Sequence, residues 1–132
     1  EIFGLLPHHN HFDILISCYE GIALSIKDCF ENKIKKNDIL YLSGGASNSL
    51  ILPQLISNTL HIKVKTLSTS ELGALGVCYL ISSFLNKKEI KDIINKNTKF
   101  SKLYLPNKEK SKYLNFKYIK YRKLRESLNK IW

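Results

Sequence analysis

Ile39-Leu40-Tyr41-Leu42-Ser43-Gly44-Gly45-Ala46-Ser47-Asn48-Ser49 is the stretch whose reading decides the fold. Four apolar residues in a row predict a strand buried on both faces, placed at Asp38–Leu42. Gly44 and Gly45 permit positive φ and leave no side chain in the way. Ser47, Asn48 and Ser49 are residue types that cap helices, so a helix is expected to start directly after them. Such a turn leaves backbone N–H groups at the carboxyl end of a sheet. Open α/β folds bind ligands there, and a helix dipole favours a phosphate. Many crossovers use the same turn only to change direction, so the geometry alone names no ligand. No lysine stands where G-x-x-x-x-G-K-[ST] needs one, and no G-x-G-x-x-G occurs, which excludes a P-loop and a dinucleotide fingerprint.

Outward from that turn, the pattern is α/β. Asn10-x-x-Asp13 is a capping box, and the helix it opens is expected to run to about Asn32. Phe12, Leu15, Tyr19, Ile22, Ile26, Cys29 and Phe30 recur at helical spacing, with Ile16, Ala23 and Leu24 widening a well-buried face. Gly21 inside this helix costs about 1 kcal/mol against alanine, a cost expected to be offset by close packing. Glu20 beside it is expected to be a partnered, buried carboxylate rather than a reacting one. Asn32–Asn37 is a polar link.

After the glycines, Leu50, Ile51, Leu52, Leu55, Ile56 and Leu60 form a helix with Pro53 in its first turn. His61–Lys65 alternates and predicts a half-exposed, edge-side strand. Two strands joined by one helix predict a right-handed βαβ crossover. Ser68-Thr69-Ser70-Glu71 is a second capping box, opening a helix to Leu85. Gly73, Ala74 and Gly76 leave that helix a bare face, suited to close helix packing or to a ligand. A short helix is expected over Asn86–Asn95, with Ile90, Ile93 and Ile94 on one side. Thr98–Leu105 is irregular or briefly extended. Lys108–Ile131 is a charged helix whose stripe of Tyr113, Phe116, Tyr121, Leu124 and Leu128 is expected to be buried.

The 132 residues suit one domain, and 44% hydrophobic content is enough for a core. No apolar run reaches the roughly 20 residues of a membrane span. Cys18, Cys29 and Cys78 are odd in number and show no C-x-x-C spacing, which predicts buried, reduced thiols in a cytoplasmic protein. His8, His9 and His11 lack further ligands at metal spacing and are expected to be loop residues. No methionine occurs, and Glu1-Ile2-Phe3-Gly4 looks like neither a signal peptide nor a natural start, so a longer chain is expected. The net charge of +10 is concentrated beyond residue 86. That tail could bind polyanions, so a small nucleic-acid-binding module is a rival reading with strongly salt-dependent binding.

Several stretches together resemble one family, the FGGY carbohydrate kinases. Ser43-Gly44-Gly45-Ala46-x-x-Ser49 resembles the family's adenosine motif. Glu71-Leu72-Gly73-Ala74-Leu75-Gly76-Val77 resembles its E-x-G-A-L-G-A helix, and Glu20-Gly21-Ile22-Ala23 resembles its E-G-x-A-F. Phe3-Gly4 with His9 resembles the F-x-G…H loop. Leu105-Pro106-Asn107, with Tyr113, Tyr118 and Tyr121, resembles the family's ending. The order is right along nearly the whole chain. The spacing from Ala46 to Ser49 and Gln54 is closer to pentulose kinases (xylulose, ribulose, L-xylulose) than to glycerol kinases. Ile16 and Leu24 depart from the family's arginine and aromatic.

The resemblance implies a partial actin-like ATPase (ribonuclease H-like) domain, a βαβ core with long flanking helices. Residues 1–105 would carry the adenosine-binding motif, and 106–132 would be a terminal helix packed on the same domain. It implies an ATP-dependent sugar kinase moving the γ-phosphate to a sugar or polyol hydroxyl. Gly44, Gly45, Ala46, Asn48 and Ser49 would bind ATP or ADP, with Gly73 and Ala74 as packing support. The phosphate motifs, the catalytic aspartate, the Mg²⁺ site and most of the sugar site would lie upstream, so this segment alone would be inactive. No catalytic or metal residue is assigned here. A nucleic-acid or membrane partner is not expected, a homo-oligomer is left open, and a regulatory domain of the actin-like superfamily is a third reading.

Overall fold

The computed structural model describes residues 2–30, 33–35, 37–68 and 71–128. The chain runs α1 (His11–Cys29), β1 (Ile39–Leu42), a 3₁₀ turn (Gly45–Asn48) and α2 (Leu52–Leu60). It continues as β2 (Lys63–Leu67), α3 (Leu72–Asn86), α4 (Ile90–Asn97), β3 (Phe100–Tyr104) and α5 (Lys108–Leu128). The expected endpoints at Asn32 and Ile131, and Thr69 and Ser70 of the second capping box, lie outside the described residues.

α1 starts as its sequence dictates. Asn10 Oδ1 accepts the N–H groups of Phe12 and Asp13, and Asp13 Oδ2 accepts that of Asn10 at 2.9 Å. α3 starts differently from expectation. It begins at Leu72, and Ser68, instead of capping it, donates its hydroxyl to the Lys99 carbonyl.

The sheet has the order β1-β2-β3, which puts β1 at an edge. Expected to be buried on both faces, β1 has no buried residue: Leu40 and Leu42 pack on the core, while Ile39 and Tyr41 on the other face are exposed. β1 and β2 are parallel, with Leu40 opposite Val64, and α2 is the crossover between them. β3 pairs antiparallel with β2. The His61–Lys65 strand is therefore shifted to Lys63–Leu67 and sits in the centre of the sheet rather than at its edge. His61 instead ends α2 in the left-handed conformation, φ 56. The alternation read in β2 reports one covered face, with Val64 and Thr66 buried, and does not count neighbouring strands. Thr98–Leu105 contributes a full strand. Its register slips between Lys65 and Leu67, where Thr66 Oγ1 takes the Lys102 N–H.

The core lies between α1, α2 and one face of the sheet. Ala23, Leu52, Ile56 and Val64 are buried together, with Tyr19, Ile26, Leu40, Leu42, Ala46 and Tyr104 packed around them. α1 is less buried than its pattern suggests. Phe12, Leu15, Ile16 and Ile22 are exposed, and a Cβ on Gly21 would meet nothing within 4 Å. All three cysteines are exposed, against expectation. α3 has no buried residue and packs on α4, where Ile93 alone is buried.

α5 packs on α2 and α1 through a stripe that differs in its first half from the one expected: Tyr121, Leu124 and Leu128 are half-buried as read, but Tyr113 and Phe116 are not. Leu114 and Tyr118 are 3% and 6% exposed, whereas Tyr113 and Phe116 are 56% and 57% exposed. Lysine ammonium groups sit over those two rings: Lys117 Nζ lies 4.7 Å from the Tyr113 centroid and Lys120 Nζ 4.5 Å from Phe116. Leu114→Ala is therefore expected to cost about 2–5 kcal/mol, and Phe116→Ala about 1 kcal/mol or less. Urea unfolding of the two variants checks the assignment, and equal losses would show that α5 is seated on the other stripe.

Candidate functional site

The glycine turn sits at the carboxyl end of β1. Gly44 has φ 72 and ψ −160, a conformation open almost only to glycine. The Ser47 N–H and hydroxyl both donate to the Gly44 carbonyl, at 3.1 and 2.7 Å, closing the turn from inside. A Cβ built on Gly44 or Gly45 would meet no heavy atom within 4 Å beyond its chain neighbours. The surface over the turn is bare backbone, and a flat ligand can approach it closely.

The five expected site residues divide by role. Gly45 and Asn48 are exposed. Ala46 packs its methyl on the core cluster, so it offers a ligand only backbone. Ser49 Oγ accepts the N–H groups of Ile51 and Leu52 at 3.3 and 3.2 Å. This is why α2 starts at Leu52 and not directly after the serines. It also lowers the phosphate-binding capacity of the helix end. The Leu52 donor is taken, Pro53 has none, and at most the Gln54 N–H is left in the first turn. The turn therefore offers open main chain but few free helix-end donors for a phosphate. Gly73 and Ala74, expected as packing support, are exposed, and a Cβ on Gly73 would meet nothing within 4 Å.

Two open grooves, of about 400 and 840 Å³, lie elsewhere, between the amino-terminal loop, α1 and α5. Glu20 and Lys117 line both. They form an ion pair at 2.5 Å, with Glu20 mostly buried, so Glu20 is the partnered carboxylate its sequence context predicts. Further along α5, Arg125 pairs with Asp28, whose Oδ1 also accepts the Tyr118 hydroxyl at 3.2 Å. His9 accepts the Leu6 N–H at 3.0 Å within the loop. Among the described residues, no three His, Cys, Asp or Glu side chains come together as metal ligands.

A three-stranded sheet with α1 and α2 on one face and a glycine turn after β1 is an α/β arrangement shared with solved sugar kinases. The ligand-bound xylulose kinase of Lactobacillus acidophilus superposes with a TM-score of 0.84 at 22% identity, covering 98% of this chain and 27% of that one. The gluconate kinase from the same organism gives 0.82 at 22% identity, covering 97% and 27%. These likenesses define the fold, that of the actin-like carboxyl-terminal kinase domains. The chain belongs to the FGGY family of carbohydrate kinases: the profile of that family's C-terminal domain matches residues 1–83. A curated relative, the probable L-xylulose kinase of Haemophilus influenzae, is 24% identical over 132 residues, 98% of this chain and 27% of its own length. The chain thus spans about a quarter of the length of the relatives it matches. β3 and α5 lie beyond the family match, and their contacts to α2 were not foreseen from sequence. The available signal was the polar set Gln54, Ser57 and Asn58 on one side of an otherwise apolar helix.

Two outcomes follow from this geometry. Gly44→Ala should lose about 1–3 kcal/mol of stability through backbone strain, while Gly45→Ala should change it by less than about 0.5 kcal/mol, both read by urea unfolding. The Glu20–Lys117 pair should show in the pH dependence. Burial alone pulls the Lys117 ammonium down, but its hydrogen bonds to Glu20 and Tyr113, with their charges, outweigh that and raise its pKa. A raised pKa in the folded state adds stability below the unfolded value, and that gain is lost as pH rises through the folded one. The stability difference between wild type and Lys117→Met should hold steady from about pH 7 to about pH 10 and shrink above it. A difference undiminished in strong alkali would contradict the assignment.

Proposed function

We propose that the chain is the nucleotide-binding part of an ATP-dependent sugar kinase, with Gly44, Gly45, Ala46, Asn48 and Ser49 seating the adenosine of ATP or ADP. The observation that supports this reading is the open backbone platform over Gly44 and Gly45, in a chain of a carbohydrate-kinase family. Gly44 and Gly45 would let the base and ribose rest on the main chain. Asn48 is the exposed polar side chain at the rim. Ala46 and Ser49 shape the turn from beneath, one through the core and one through the α2 cap. A pentulose is the favoured class of sugar, by likeness to relatives named as xylulose and L-xylulose kinases. The acceptor hydroxyl would be activated by a base outside this chain. Mg²⁺ would be held with residues outside this chain, and no step is assigned to the ion here.

The polyanion-binding alternative draws on the charge of the tail. Several of those cations are already engaged: Lys117 with Glu20, Arg125 with Asp28, Arg122 with Glu126, and Lys120 on Phe116. Such engagement favours a helix seated on its own domain over one presented to a phosphate backbone.

In a complete kinase containing this segment, Gly45→Val should raise KM for ATP about tenfold or more, equivalent to about 1.4 kcal/mol, with KM for the sugar within about twofold. A β-branched side chain there would fill the space the nucleoside needs. Unchanged KM for ATP in a folded variant would overturn the assignment.

A further inference from the structure

The face that α2 turns toward the β3–α5 junction is polar and buried. Ser57 is 0% and Asn58 3% exposed. Burying such groups costs about 1–3 kcal/mol each unless they are hydrogen-bonded. Their partners come from α2 and its own C-terminal end and from the corner Tyr104-Leu105-Pro106-Asn107. Asn58 Oδ1 accepts the Asn107 N–H at 2.8 Å and a Gln54 Nε2 hydrogen at 3.1 Å. Gln54 Nε2 also donates to the Leu105 carbonyl at 2.8 Å. Ser57 Oγ donates to the Ile62 carbonyl at 2.7 Å and lies 3.3 Å from that of Tyr104. Asn107 is in turn the cap of α5, its Oδ1 accepting the Lys110 N–H at 3.0 Å.

These bonds have a direction of consequence. α2 is only nine residues long, and Gln54 stands in its first turn. The same turn is tied through Ser49 Oγ to Ile51 and Leu52, and the Ser49 N–H reaches back to the Ala46 carbonyl. A tilt of α2 therefore moves the peptide groups that follow Gly44 and Gly45. The polar face favours one seating of the helix, because any other gives up the Asn107 N–H to Asn58 and the Gln54 amide to the Leu105 carbonyl. An apolar face would tolerate sliding.

We propose that the Leu105-Pro106-Asn107 corner, locked onto Gln54 and Asn58, sets the seat of α2 and so holds the glycine turn in its nucleotide-binding shape. Asn58 is a positioning residue: it acts through α2 and touches no ligand. The proposal rests on the adenosine reading of the turn, and its two halves are measured separately.

The test uses a complete kinase containing this segment, with Asn58→Leu, which keeps the branched shape and removes the acceptor, and Asn58→Asp, which keeps the acceptor. Amide hydrogen exchange reads the turn, and ADP titrated to millimolar concentration reads the site. Asn58→Leu should speed exchange at Gly45–Ser49 about tenfold or more relative to the β1–β2 ladder and weaken ADP binding by a similar factor. Asn58→Asp should restore both. Gln54→Ala, at the half-exposed end of the same set, carries the comparison if Asn58→Leu does not fold. Exchange that rises only at β3 and the start of α5, with the turn unchanged, overturns the coupling. Uniformly faster exchange also overturns it, by showing a merely global loss of stability. If wild type shows no response to ADP, the nucleotide reading fails and takes the binding half with it, while the exchange data still decide the mechanical half.

Discussion

Parallel pairing of β1 with β2 forces the chain to leave one strand at its carboxyl end and return to the start of the next. Everything else is fitted to that crossing. α2 makes it in nine residues, so the turn before it must reverse the chain in little space. Gly44, at φ 72, supplies the reversal. Ser47 and Ser49 then close the turn with their own hydroxyls. Because the serines satisfy the local donors and acceptors, the glycine backbone needs no covering side chain. The same economy that makes the crossover short leaves its outer surface open to a ligand.

α2 is also the element on which the later chain depends. Its apolar side, Leu52 and Ile56, meets Ala23 of α1 and Val64 of β2. Its polar side meets the corner before α5. The family match ends at residue 83, yet α5 lies against the helix that follows the glycine turn. The clamp of α5 on α1 adds two ion pairs, Lys117 with Glu20 and Arg125 with Asp28. With both carboxylates mostly buried, they fix the register of two long helices more than they add stability.

The existence of β1, the glycine turn and the long helices was legible in the sequence because each is specified by neighbours in the chain; the place of β1 at the sheet edge, with one face open, was not. Asn10 and Asp13 are three residues apart, and only Ser43 separates the apolar run from the glycines. What was not legible depends on distant partners. β3 reads as Phe100-Ser101-Lys102-Leu103-Tyr104, a weak pattern that becomes a strand only because β2 offers an edge. In α5, aromatic and aliphatic residues crowd every face, and helical spacing cannot choose between Tyr113 with Phe116 and Leu114 with Tyr118. The choice falls to packing against α2 and to lysines that sit over the outer rings. Of the candidate site, the residues were legible but not their division of labour. Nothing local says that the Ala46 methyl faces the core or that Ser49 spends its oxygen on α2.

The exposed thiols alter how the molecule behaves outside a reducing environment. Cys18 and Cys29 sit on one helix, separated by about 16 Å along its axis at 1.5 Å per residue. A disulfide needs Cα atoms within about 7 Å, so these two cannot bridge each other. A disulfide that takes in either of them has to reach Cys78, also exposed, or a thiol of another molecule. Exposed thiols on separate copies can then be cross-linked with no change of fold, and a thiol reductant would separate them.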